Sequence, residues 1–253
     1  MGHLTLSIIT VVKNDESNIE KTIKSIINQK NIKLEYIVID GNSSDKTLAV
    51  INNYQKNINK IISENDDGIY DAMNKGIINS TGDIIAFCNS GDIFYDNSLS
   101  KVVNIFNNKN FDYVFGSVLR NYMGGKQILK YNLNPKRIFY NFDFATAHST
   151  GFFLKKNVYK EIGYYNTKFK CSADYDLYFR LIKKKYKGTV TGKKDIIGNV
   201  ASGGYSSKVS FFNHVIEEAK IRLHNKQNLL IILLIFINSI IKNPLKFFKI
   251  NTK

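Results

Sequence analysis

The stretch Leu4-Thr5-Leu6-Ser7-Ile8-Ile9-Thr10-Val11-Val12 is an almost unbroken apolar and β-branched run near the start of a 253-residue chain. No charge interrupts it, which is the pattern of a strand buried on both faces in a parallel sheet covered by helices. Ile19, Ile23, Ile26 and Ile27 then recur at helical spacing, so a helix over about Glu16 to Gln29 lays one face on that sheet. A second buried strand, Tyr36 to Asp40, follows. Beyond it come a helix near Asp45 to Gln55, a short strand at Ile61 and Ile62, a helix near Tyr70 to Asn79 and a strand Ile84 to Cys88. This βαβαβαβ alternation predicts an α/β fold with a mainly parallel central sheet flanked by helices, and ligands of such sheets bind outside the carboxyl ends of the strands.

Length and composition agree with one catalytic core plus a terminal segment. The chain is 43% hydrophobic and 23% charged, enough apolar material to bury a core and far from a disordered composition. Lys and Arg number 36 against 21 Asp and Glu, a formal charge of +15, which points to an anionic partner or to a lysine-rich solvated surface. Cys88 and Cys171 form no metal-type or paired spacing and suit a reducing compartment. Met1-Gly2-His3-Leu4 runs straight into a strand without the basic region and cleavage site of a signal peptide, so a cytoplasmic protein is expected.

After residue 110 the rhythm loosens: a strand at Tyr113 to Val118, a turn at Gly124-Gly125 and a polar aromatic stretch from Tyr131 to Phe144, expected to shape an acceptor site. We expect a catalytic domain over 1–208 and a helical tail over 209–253. In the tail, Phe212, Val215, Ile216, Ala219 and Leu223 lie on one helical face, followed by the apolar run Leu229 to Ile237. Extended to Ile241, that helix is about 20 Å long at roughly 1.5 Å per residue, short of the roughly 30 Å a bilayer core demands. Two readings stay open: an interfacial helix on anionic lipid, with Lys242, Lys246 and Lys249 as contacts and Phe247-Phe248 among them, or a helix docked on the core or on another subunit in a homo-oligomer.

Three acidic segments stand where chemistry is expected. Ile37-Val38-Ile39-Asp40-Gly41-Asn42-Ser43-Ser44-Asp45 puts Asp40 at a strand's carboxyl end, able either to accept a base N–H or simply to order the turn. Phe87-Cys88-Asn89-Ser90-Gly91-Asp92 is a second such end, with Asp92 available to a divalent cation that neutralises a leaving diphosphate. Ser172-Ala173-Asp174-Tyr175-Asp176-Leu177 opens a helix; an acid there stabilises the helix start, and it could equally deprotonate an acceptor hydroxyl.

In this order the three segments resemble the family-2 glycosyltransferases of the GT-A (Rossmann-like) fold, over about Leu4 to Ser207. The resemblance implies that the end of the first strand, with Thr10, Val12 and Asn14, meets a nucleoside, and that Asp40 binds its base. Asp67-Gly68-Ile69-Tyr70-Asp71-Ala72-Met73-Asn74-Lys75-Gly76 is similar to the next donor-site segment, which implicates Asp67, Gly68, Asn74 and Lys75. Asn89-Ser90-Gly91, with Asp92 after it, stands where the family carries Asp-x-Asp, as in a bacterial subgroup linked to O-antigen and capsule assembly. That implies Asn89, Ser90 and Gly91 on the donor and Mg²⁺ or Mn²⁺ on Asp92. Asp174 falls on the family's catalytic base, although Ala173 replaces the preceding Glu; Asp176 and Arg180 match the Asp-Leu-x-x-Arg that follows, Arg180 holding the helix in place. Gly203-Gly204-Tyr205-Ser206 resembles a late loop that closes over the diphosphate, or is a plain turn. His148 lies where polar acceptor-side or diphosphate-facing residues occur, or is a satisfied structural histidine.

The expectation is an inverting transfer of a sugar from a nucleotide-sugar, with UDP as the expected nucleotide, to a hydroxyl of a glycan or lipid-linked acceptor in bacterial surface polysaccharide synthesis, at the inner face of the cell membrane. The alternative is an inactive nucleotide-sugar-binding module. Nucleic acid is not expected as a partner, because only charge suggests it and none of the common motifs occurs. Neither Gly-x-Gly-x-x-Gly nor Gly-x₄-Gly-Lys-[Ser/Thr] is present, which disfavours dinucleotide and P-loop enzymes.

Overall fold

The first half of the chain folds as its periodicity dictates. In the computed structural model, which describes residues 4–122, 125–129, 134–140, 148–192, 194–204 and 209–244, strands β1 (Thr5–Val12), β2 (Lys33–Asp40), β3 (Lys60–Ser63) and β4 (Ile84–Phe87) are parallel neighbours in the order β4-β1-β2-β3. Helices α1 (Ile19–Ile27), α2 (Thr47–Asn52) and α3 (Ile69–Asn79) connect them. Side chains alternate along each strand, so the apolar run of β1 feeds two cores at once. Ile9 and Val11 pack with Tyr70, Met73 and Ile77 of α3 on one face, and Leu6 and Ile8 pack with Ile19 and Ile23 of α1 on the other. Each fully buried aliphatic side chain contributes about 1.5–3 kcal/mol against conformational entropy, which is why this central sheet carries the fold.

The second half extends the sheet and adds another. After β5 (Ile93–Phe94) and α4 (Ser98–Asn108) come β6 (Tyr113–Phe115), β7 (Ser117–Tyr122), β8 (Gly125–Leu129), β9 (Phe152–Lys155), α5 (Lys156–Ile162), α6 (Ala173–Lys183), β10 (Gly188–Val190) and β11 (Ile196–Val200). Strand β9 runs antiparallel between β4 and β6, completing a seven-stranded sheet of order β10-β6-β9-β4-β1-β2-β3; β5-β11-β7-β8 form a separate four-stranded sheet. The single strand expected over Tyr113 to Val118 is therefore two. The chain leaves one sheet and enters the other at Gly116, against which Ile197 packs so closely that a Cβ there would have to push its side chain aside. Tyr122 pairs with Gly125 across the expected turn, of which Gly124 lies outside the described residues.

The tail is two helices, α7 (Phe211–His224) and α8 (Leu229–Lys242). The apolar face expected for α7 is corrected: Phe212 and Leu223 are 46% and 52% exposed, and the buried face is Val215, Glu218, Ile221 and Arg222. Two charged residues can be interior here because they satisfy one another. Arg222, 1% exposed, donates to Glu218 at 2.7 Å, to the Tyr175 hydroxyl of α6 at 2.7 Å and to the Phe139 carbonyl at 3.0 Å. Helix α8 rests on α7 through Ile232, its only buried residue, and presents Leu229, Leu230, Leu233, Leu234, Ile237 and Ile241 to solvent. Among the described residues no helix is long and apolar enough to cross a membrane. Lys246, Phe247, Phe248 and Lys249 lie outside the described residues.

Candidate active site

The register of the sheet levels three strand ends: Val12 faces Asp40 across β1 and β2, Asp40 faces Ser63, and Ile9 faces Phe87. Asp40 is fully buried. Its Oδ1 accepts the Ser43 hydroxyl at 2.5 Å, and its Oδ2 accepts the Ser43 N–H at 3.1 Å and the Ser63 hydroxyl at 2.6 Å. The carboxylate thus orders the turn after β2 and ties it to β3, with three of its roughly four acceptor positions taken. Thr10 lies equally deep, bonding the Cys88 carbonyl at 2.8 Å and the Tyr36 hydroxyl at 3.1 Å, and Val12 is 7% exposed. Above them Asn14 is exposed with φ 51°, and its side-chain oxygen accepts the Ser44 N–H at 2.8 Å, so the loops after β1 and β2 form one rim.

The donor-segment residues divide in the same way. Asp67 is exposed, and Gly68, with φ 117°, turns the chain into α3 in a conformation that L side chains rarely adopt. Asn74 instead faces the protein, exchanging bonds of 2.9 and 3.0 Å with the backbone of Tyr165. Lys75 pairs with Glu64 at 2.9 Å and Asp71 at 3.5 Å.

At the end of β4, Gly91 adopts φ 93° and its N–H donates to the Thr22 hydroxyl; Ser90 donates to Asp15 at 2.6 Å. Asn89 donates to Ser149 at 3.1 Å, while its buried side-chain oxygen accepts nothing from the described residues. Asp92, 3% exposed, accepts the Ala201 N–H at 2.9 Å on Oδ1 and the Thr150 hydroxyl at 2.5 Å on Oδ2, with His148 Nδ1 at 3.5 Å. Burial pushes Asp92 upward, against the opposing pull of His148 and these hydrogen bonds; burial pushes His148 downward, against the charge of Asp92. Each Asp92 oxygen spends one acceptor position on a protein donor, so the carboxylate keeps acceptor capacity although it is 3% exposed. A hard cation takes six or more oxygen ligands, of which Asp92 could supply one or two. No cluster of three His, Cys, Asp or Glu suited to a metal occurs among the described residues.

Asp174 differs. It is partly exposed in the first turn of α6, and its Oδ1 accepts the Tyr175 N–H at 2.8 Å and the Tyr70 hydroxyl of α3 at 3.3 Å. Burial of the carboxyl raises it to about 6, in spite of these bonds and the charge of His214 on α7. That value lies where a carboxylate acts as a base near neutral pH. Asp176 is fully buried between Arg180 (2.9 Å) and Asn225 (2.8 Å), and Arg180 also grips the carbonyls of Gly163 and Tyr164 at 2.9 and 2.7 Å; both residues hold α6 in place. Ser206 lies outside the described residues. Tyr70, Thr150, Ala201 and Glu217 escaped the sequence reading, since their partners are 46 to 109 positions away.

Among solved structures, S. aureus TarS 1-349 in complex with UDP-GlcNAc is similar at TM-score 0.75 and 17% identity, over 94% of this chain and 73% of that one. The mannosyltransferase PcManGT from Pyrobaculum calidifontis, in complex with GDP-Man and Mn²⁺, is similar at 0.68 and 14%, over 98% and 73%. These likenesses show the fold to be GT-A. Among curated proteins, an uncharacterized glycosyltransferase of Mycobacterium tuberculosis is 30% identical over 178 residues, 60% of this chain and 68% of that one. A PGL/p-HBAD biosynthesis glycosyltransferase of Mycobacterium bovis is 28% identical over 188 residues, 69% and 68%. The Glycosyl transferase family 2 profile matches residues 7–168. The enzyme is a glycosyltransferase, and the chain belongs to glycosyl transferase family 2.

Proposed function

We propose that the enzyme transfers a sugar from a nucleotide-sugar, with UDP as the favoured nucleotide, to a hydroxyl of a glycan or lipid-linked acceptor in bacterial surface polysaccharide synthesis, with inversion at the anomeric carbon. The observation that carries this reading is Asp174: a carboxylate anchored through Oδ1 and raised to about 6. Its Oδ2 takes the acceptor's hydroxyl proton, the freed oxygen attacks the anomeric carbon, and the nucleoside diphosphate leaves with the bonding electron pair. A positioned base contributes about 10²- to 10⁴-fold. The donor lies along the rim made by Asn14, the turn after Asp40, Asp67-Gly68 and Asn89-Ser90, with His148 toward the diphosphate and acceptor side; UDP-GlcNAc in TarS and GDP-Man in the mannosyltransferase support that class of donor. Mg²⁺ or Mn²⁺ enters as the donor's companion, supplying countercharge to its diphosphate, and the Mn²⁺ of the mannosyltransferase complex supports it.

The test is the thermal midpoint of the purified protein with UDP, GDP or dTDP, each with and without Mn²⁺, since a ligand of the native state raises it. A rise with one nucleotide names the donor class; no rise with any of them contradicts the reading. If the rise depends on Mn²⁺ and survives in Asp92→Asn, the cation is held by something other than Asp92.

The tail supports a place at an anionic membrane surface, where a lipid-linked acceptor would reside. Helix α8 exposes six leucines and isoleucines on a helix about 20 Å long and ends at Lys242, in a chain of charge +15. The full chain should sediment with phosphatidylglycerol vesicles and not with phosphatidylcholine alone, and the pair Leu233→Asp and Ile237→Asp should abolish this. Equal binding by that pair would remove α8 from the interface.

A further inference from the structure

Helix α7 turns a carboxylate toward the segment that leads into Asp174. Glu217 accepts the N–H of Lys170 at 2.6 Å, the N–H of Cys171 at 2.8 Å and the Cys171 thiol at 2.8 Å. Burial alone would raise this carboxyl, but the thiol and the N–H groups of Lys170, Cys171 and Ser172 outweigh it and hold it below its usual range. Glu217 is therefore an anion fixed by its neighbours. Helix α6 needs such a partner. It starts at Ala173 with Ser172 as N-cap, and the Ser172 side chain makes no capping bond. Ala173 is fully buried and has no polar side chain.

The grip continues past the base. Arg222 of α7 holds the Tyr175 hydroxyl, and Asn225, just beyond α7, holds Asp176 at 2.8 Å. Side chains of this one segment thus fasten Cys171, Tyr175 and Asp176, on both sides of Asp174, without touching the Asp174 carboxylate in any of these bonds. A carboxylate that must accept a proton has to be placed to within fractions of an ångström while keeping one oxygen open, and pinning its flanks achieves both.

We propose that Glu217 is a positioning residue for Asp174, pinning residues 170–172 so that the carboxylate stands at the mouth of the site in a fixed, partly desolvated position. This rests on the reading of Asp174 as the base. The tail helix is then part of the catalytic apparatus rather than an appendage.

The test needs no substrate, which separates it from the fate of the donor assignment. The full chain is labelled with ¹³C-carboxyl aspartate, Asp174 is identified by its loss in Asp174→Asn, and its titration is followed in wild type and Glu217→Gln. The groups facing Asp174 are Tyr70 on α3, Tyr165 and Cys171 ahead of α6, Tyr175 on α6 and His214 on α7, with Glu217 behind Cys171. Wild type should titrate near 6. Loosening the segment admits water and relieves the burial that raises Asp174, which lowers the midpoint by about one unit or more toward the ordinary carboxylate value. Amide exchange at 170–172 should quicken about tenfold. An unchanged Asp174 midpoint in a folded Glu217→Gln protein, whatever the exchange rates, overturns the proposal. Should Glu217→Gln fail to fold, Glu217→Asp keeps the charge and shortens the reach. Faster exchange with a lower midpoint supports the proposal there, and an unmoved midpoint defeats it.

Discussion

Two kinds of acid stand at the ends of secondary elements in this enzyme, and they differ in how far the fold encloses them. Asp40 and Asp92 follow strands, are 0% and 3% exposed, and have protein donors on both carboxylate oxygens. Asp174 opens a helix, remains partly exposed and holds the Tyr175 N–H and the Tyr70 hydroxyl on the same oxygen. The comparison teaches that a carboxylate's place along the chain says where a site lies, while its exposure and the arrangement of its partners say what it can do there. The first pair holds loops in register. The third is left able to take a proton.

The largest effect that sharpens this contrast is on stability. Asp92→Ala leaves the Thr150 hydroxyl and the Ala201 N–H without their acceptor and should cost about 2–4 kcal/mol, read by urea unfolding, and Asp40→Ala about as much. Asp92→Asn, which keeps an oxygen for Ala201, should cost far less. A protein in which both Asp92 variants match wild type would show the residue free for a ligand, and the contrast would break.

Asp174→Asn should move the other way. Its folded-state value of about 6 lies above the ordinary carboxylate value near 4, so the native protein holds this proton more tightly than the unfolded chain does. Ionisation of Asp174 therefore detracts from stability progressively from about pH 4 to 6 and fully above that range. Asparagine removes the penalty, and the variant should be about 1–2 kcal/mol more stable than wild type at pH 8, with no gain at pH 3.5. A loss of stability at pH 8 would place Asp174 with the sealed pair.

The smallest expected effect is Ser63→Ala, which takes one of three donors from Asp40 and should cost about 1 kcal/mol while leaving turnover unchanged. A turnover defect larger than its stability loss explains would give Asp40 a direct part in donor binding.

The βα rhythm was legible because β1, β2 from Tyr36 onward and β4 are buried on both faces, and burial on both faces writes itself as apolar sequence. The passage between sheets at Gly116 was not, since one glycine in a run of β-formers gives no sign that the partners change from β9 to β11. The inward face of α7 was misread for a related reason: Glu218 and Arg222 are interior only because Tyr175 and the Phe139 carbonyl, 47 and 83 positions away, meet Arg222 there. At the site, the acids were legible by type and position. Their occupancy was not, because Ser63, Thr150, Ala201 and Tyr70 reach them through the fold rather than along the chain.

The most direct test of Asp174 as the base is turnover and nucleotide affinity in Asp174→Asn beside wild type, across pH 4.5 to 8.5. Wild-type kcat should rise through a limb centred near 6 and level off above it, as the base loses its proton, while Asp174→Asn should lose about 10²- to 10⁴-fold in kcat and bind the nucleotide within about twofold of wild type. A variant that keeps wild-type turnover, or a wild-type limb that does not depend on Asp174, would contradict the account.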